Sequence, residues 1–126
     1  MNEQNINAIT PALLFMAEKY RVIGTIANRF DDGAIVDAAS TAESAARRVA
    51  MTISHDGLTS REDATTVNTA IEGWLDNMNR QLQTLAGRGQ MQDAALVEHR
   101  IRELYAAQQA VELVARGLAD AEPANA

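Results

Sequence analysis

Apolar residues recur at intervals of three or four positions along most of the chain, which is the period of an amphipathic α-helix. Short glycine-containing stretches at residues 31–33, 55–57 and 87–89 interrupt the pattern, and each is typical of a turn. The pattern therefore predicts four helices. Their apolar stripes are Leu13, Met16, Tyr20, Ile23, Ala27 and Phe30 in the first; Ile35, Ala39, Ala42, Ala46, Val49 and Ile53 in the second; Val67, Ile71, Trp74, Met78, Leu82 and Leu85 in the third; and Val97, Ile101, Leu104, Gln108, Val111, Ala115 and Leu118 in the fourth.

Capping signals indicate where these helices begin. Thr10 followed by Pro11 is a typical helix start, because a proline at the first helical position loses no hydrogen bond. Residues 59–62, Thr-Ser-Arg-Glu, have the pattern of a capping box in which Glu62 reaches back to the backbone of Thr59. The signals together predict helices over about 11–30, 34–54, 60–86 and 90–119.

The last two predicted helices are the longest, and a short turn joins them. At about 1.5 Å per residue they would each be about 40–45 Å long, and so short a connection favours an antiparallel pair. We expect an all-α single domain resembling a four-helix bundle, built on this hairpin (60–86 and 90–119) with two shorter N-terminal helices. Residues 1–9 are expected to be flexible and residues 120–126 to form a tail. The rival arrangement is one elongated hairpin that dimerises with its copy.

Composition changes the expected core more than the expected fold. Hydrophobic residues make up 47% of the 126, but 24 of them are alanine. Alanine fills most of the second stripe, which favours close helix packing over burial of a large apolar area. The first helix differs, because Leu14, Val22 and Ile26 widen its stripe. We therefore expect the first helix to need covering on more than one side.

Charge and hydropathy restrict the partners. A net charge of −6 argues against direct binding of nucleic acid or anionic lipid. The longest apolar run, Ala12–Ala17, is much shorter than the roughly 20 residues that span a bilayer. The first residues carry no positive charge, so we expect no secretion signal. The expected location is the cytoplasm of the producing or a host cell, with a virion left open.

Catalytic and metal-binding patterns are lacking in the sequence. There is no cysteine, and neither His55 nor His99 follows the Glu-x-x-His spacing of di-iron bundles. His99 and Glu103 share a helix face, but an i,i+4 surface pair explains them more simply than two metal ligands do. The turn 87–89 lacks the remainder of a dinucleotide-binding motif. We therefore expect no enzyme activity, no cofactor and no metal site.

Two arginines form a candidate ligand site. Arg47 and Arg48 lie near several hydroxyl side chains and would suit a phosphate or carboxylate at a junction of helices or protomers. The alternative is an exposed helix face on which Glu43, four residues earlier, pairs with Arg47.

Four residues form a candidate interface. Trp74 is the sole tryptophan and is interpreted as a core anchor or an interface hot spot. Gln108 interrupts the most regular apolar stripe, between Leu104 and Val111. A polar residue at such a position sets register or oligomeric state, or else lies partly exposed at the edge of the stripe.

These features predict a non-enzymatic helical protein that acts in protein–protein interaction or assembly. It would form a homo-oligomer, bind a protein partner, or do both. Small phage-type adaptors, virion components and host-factor inhibitors share this size and composition, which is an analogy of fold alone. The alternative function is binding of a small anionic ligand, a nucleotide or phosphate, through Arg47 and Arg48.

Overall fold

The computed structural model describes residues 1–121 and shows four α-helices within them. These are α1 (Glu3–Arg29), α2 (Gly33–Asp56), α3 (Arg61–Gly87) and α4 (Met91–Ala121), with no strand in that range. The all-α, bundle-like fold and the α3–α4 hairpin are thus confirmed. Of the tail expected at 120–126, residues 122–126 lie outside the described part of the chain.

Helix α1 begins earlier than predicted. The Asn2 side chain caps it by accepting a hydrogen bond from the backbone N–H of Asn5, at 2.8 Å. The segment 1–9, expected to be flexible, is therefore helical from Glu3, and α1 equals α3 in length at 27 residues. The physical reason is burial, since Ile9 is completely enclosed by the core.

Pro11 consequently lies inside α1 rather than at its start. Because proline has no backbone N–H, the carbonyl of Asn7 lacks its usual donor four residues later. Burial of apolar side chains on both sides of Pro11, such as Ile9 and Leu13, offsets this loss.

Helix α3 begins one residue later than the predicted capping box. Ser60, not Thr59, is the N-cap, and its Oγ accepts a hydrogen bond from the backbone N–H of Asp63 at 3.1 Å. The acidic residue three positions after the cap is therefore Asp63 rather than Glu62. Burial of the Asp63 carboxylate explains this register, because its side chain is held by an ion pair to α2.

The core lies between the first half of α1, the second half of α2, α3 and α4. The backbone of α1 lies close to those of the other three helices, whereas within the described residues no Cα atom of α2 lies within 8 Å of one in α4. Helix α1 is therefore the central element. The largest fully buried side chains are Ile9, Leu13, Val49, Ile53, Val67, Ile71, Leu104 and Val111.

The α1–α2 hairpin extends past this core. No residue from 22 to 41 belongs to the core or packs against it. Within that range the buried residues are Ala27 and Ala39, and a Cβ added to Gly24 would lie 3.6 Å from the Cβ of Ala39. Small side chains thus let the two helices approach closely here. We call residues 22–41 the arm.

Candidate functional site

The arm carries a row of exposed apolar side chains. Val22 and Ile26 in α1 and Phe30 at its C-cap follow one another at intervals of four residues, which places them along one side of the helix. They are 40%, 48% and 79% exposed. Ile35, at the start of α2, is 46% exposed. Isolated apolar residues are common on protein surfaces, but a row of large ones is typical of an interaction surface.

The row corrects two positions of the predicted stripes. Phe30 and Ile35 were expected to be core residues, yet both are exposed because neither α3 nor α4 covers the arm. The surplus of apolar residues around Val22 and Ile26 was the available sequence signal. It indicated that α1 needs a second covering surface, and the structure leaves that surface open in the arm.

A cleft of about 350 Å³ lies between the N-terminal part of α1, α3 and α4. Its apolar lining comes from all three helices and its polar lining from α1 and α4. The residues are Asn7, Ala8, Pro11, Trp74, Met78, Arg100, Glu103 and Leu104. This cleft brings together Trp74 and Leu104, two of the candidate interface residues, in a concave surface.

Trp74 has a structural contact in addition to its place in the cleft. Its ring centroid lies 5.0 Å from that of Phe15, with the planes tilted by 47°. The indole is partly buried and packs against the core. Trp74 therefore anchors α3 on α1 while part of its surface remains accessible.

The other interface candidates divide between core and surface. Leu104 and Val111 are buried in the core of the single chain, so their side chains are not available at its surface. Gln108 is half-buried, because Ala107 occupies the enclosed position of that turn. The sequence offered one signal for this arrangement: the residue before Gln108 is an alanine, so position 107 rather than position 108 could face the core.

Arg47 and Arg48 are each paired within the chain. Arg47 Nε lies 2.9 Å from Glu43 Oε2, which is the surface pair considered as the alternative. Arg48 binds both carboxylate oxygens of Asp63, at 2.8 and 3.4 Å, and this hydrogen bonding raises the pKa of the Arg48 guanidinium. An incoming anion would compete with a carboxylate at either residue, so no contact favours an anion site here.

The remaining polar chemistry consists mainly of pairs along single helices. His99 Nε2 lies 2.6 Å from Glu103 Oε1, one helical turn away, and Arg102 is likewise paired with Glu98. Within residues 1–121, no group of three side chains is placed to hold a metal ion. None of the helices described there is both long and apolar enough to cross a bilayer.

The roles of the arm and the cleft are inferred from their own geometry, since comparisons with known proteins supply no parallel. Neither a protein-family model, nor a curated protein, nor a solved structure matches this chain.

Proposed function

We propose that the protein is a non-enzymatic helical assembly protein that self-associates through its arm. One observation carries the proposal: Val22, Ile26 and Phe30 form an exposed apolar row on a segment that contributes nothing to the core. Exposing such a row in a monomer has a cost in free energy, which association removes.

A second copy of the chain is the occupant that the arm favours. Two antiparallel helices with apolar residues on an open side are half of a four-helix bundle, and a two-fold axis supplies the other half from the same residues.

Light scattering over a concentration series tests the proposal. We expect the wild type to approach twice the chain mass of 13.6 kDa. Phe30→Glu should remain at the chain mass, because two-fold packing would bury both introduced carboxylates. Met51→Glu and Leu113→Glu are matched controls, since both residues are exposed and apolar but lie outside the arm. Both controls should associate as the wild type does.

Two outcomes would overturn the arm as the association surface. One is a wild-type mass that stays at 13.6 kDa at the highest concentrations reached. The other is association that survives Phe30→Glu but is lost in Met51→Glu or Leu113→Glu. Circular dichroism of each variant establishes that its helices are intact, so that a change in mass reports on association.

The biological setting is proposed only by analogy of fold. An arm-linked helical dimer suits a phage-type adaptor, a virion component or an inhibitor of a host factor, and each of these would use a further protein partner. Purification of such a partner together with the wild type, but not with Phe30→Glu, would extend the role of the arm from self-association to partner binding.

A further inference from the structure

The cleft between α1, α3 and α4 has the size and lining of a small-molecule site. Its volume of about 350 Å³ lies within the range of ligand pockets, near the lower end. At about 30 Å³ for each water-sized group, it holds roughly a dozen non-hydrogen atoms.

The cleft also has an unpaired positive charge. Arg100 lines it, and no carboxylate within residues 1–121 forms an ion pair with this guanidinium. Glu103 lines the cleft as well, but its Oε1 already lies 2.6 Å from His99 Nε2. Elsewhere in the described chain, ion pairs hold the guanidinium groups of Arg21, Arg47, Arg48, Arg80 and Arg102. Within that part, those of Arg29, Arg88 and Arg116 form no ion pair either, and Arg100 differs from them in lining the cleft that contains Trp74.

We propose that this cleft binds a small organic acid with an aromatic or branched apolar body. The body packs against Trp74 and Met78, and the carboxylate is bound by Arg100. Guanidinium groups recognise carboxylates through paired, charge-assisted hydrogen bonds, and an indole face favours a flat apolar group. The site lies outside the arm, so it does not depend on self-association.

Trp74 provides a direct measurement, because it is the sole tryptophan and lines the cleft. The probe is 4-phenylbutyrate, which matches the estimated capacity of the cleft. We expect a saturable change in tryptophan emission and a raised Tm on titration. The neutral 4-phenylbutanol and the cationic 4-phenylbutylamine should bind at least about tenfold more weakly, since each lacks the carboxylate.

Two variants on α4 separate the proposed contact from a general effect of charge. Arg100→Gln should weaken binding of 4-phenylbutyrate about tenfold or more. Arg102→Gln removes the same charge from an arginine that already pairs with Glu98, so it should bind as the wild type does. Circular dichroism of Arg100→Gln checks that α4 is intact.

Three results would overturn the site. In the first, 4-phenylbutyrate produces neither a saturable emission change nor a raised Tm. In the second, Arg100→Gln binds the acid as tightly as the wild type does. In the third, the amine binds as tightly as the acid, which would make the cleft an apolar pocket without a role for Arg100. Because Phe30→Glu leaves the cleft intact, its titration separates failure of this site from failure of the arm.

Discussion

Arg48 and Asp63 join α2 to α3 through an ion pair in which both carboxylate oxygens accept hydrogen bonds, at 2.8 and 3.4 Å. Asp63 is buried, whereas Arg48 is about half exposed. The interface between α2 and α3 is the smallest among the contacting helices. This ion pair is therefore a principal polar link across it.

Arg48→Gln should lower the free energy of unfolding by about 1–2 kcal/mol, because it leaves a buried carboxylate without its partner. Arg47→Gln, which breaks an exposed pair on one helix, should lower it by less than about 0.5 kcal/mol. Urea denaturation measures both. Equal effects would show that burial of Asp63 does not strengthen its link to Arg48.

The Glu18 carboxylate should contribute to the acid dependence of stability. Its hydrogen bond with Arg21 lowers its pKa from the ordinary value of 4.5. A pKa that is lower in the folded state stabilises the fold above that ordinary value, and this contribution is lost as the pH falls through the lowered pKa. Because the pair is exposed, the effect should be small.

An NMR titration of the Glu18 carboxyl group measures this directly. Arg21→Gln should raise its pKa toward 4.5, since it removes the hydrogen bond and the charge together. When the free energy of unfolding is measured between neutral and acidic pH, Glu18→Gln should remove the small contribution that this carboxylate makes to its pH dependence. An unchanged pKa in Arg21→Gln would contradict the hydrogen bond as its cause.

Replacing Pro11 with alanine should stabilise the protein. Inside α1 the proline removes a backbone hydrogen bond, and a proline in a helix interior costs about 3 kcal/mol relative to alanine. We expect Pro11→Ala to raise the free energy of unfolding by about 1–3 kcal/mol. If α1 instead began at Pro11, the substitution would be neutral or slightly destabilising, so urea denaturation distinguishes the two helix starts.

Two glycines should respond to alanine in opposite directions. Beyond the adjacent backbone of α3 itself, no atom lies within 4 Å of where a Cβ of Gly73 would be placed, so Gly73→Ala should stabilise α3 by about 0.5–1 kcal/mol. Gly57, which ends α2, has φ +67° and ψ −152°, a conformation that is nearly restricted to glycine. Gly57→Ala should destabilise the protein by about 1–3 kcal/mol. Thermal unfolding measured side by side would show the contrast.

Sequence periodicity predicted the helices well, because the α-helix is the regular structure that places residues three or four positions apart on one face. It could not fix the start of α1, since Pro11 suits both a first turn and a tolerated interior position. Only the burial of Ile9 decides between them. The periodicity also could not separate Leu104 from Phe30, because an enclosed residue and an exposed one follow the same spacing.

The candidate sites were less accessible to prediction than the fold. Trp74 stood out because it is unique in the sequence, but its cleft depends on how three helices meet. Arg100 resembles Arg102 in the sequence, and only the ion pairs distinguish them. Charge pairing is a property of side-chain geometry, which spacing along one helix specifies only in part.

The separation of the arm from the core has an evolutionary consequence. Since no residue from 22 to 41 takes part in the core, surface substitutions in this segment should leave folding stability nearly constant. Under the proposal that the arm is the association surface, specificity and fold would be encoded in different stretches of one helical hairpin. A lineage carrying this architecture would then be free to exchange partners through a few substitutions at the tip without first acquiring compensating mutations in the bundle.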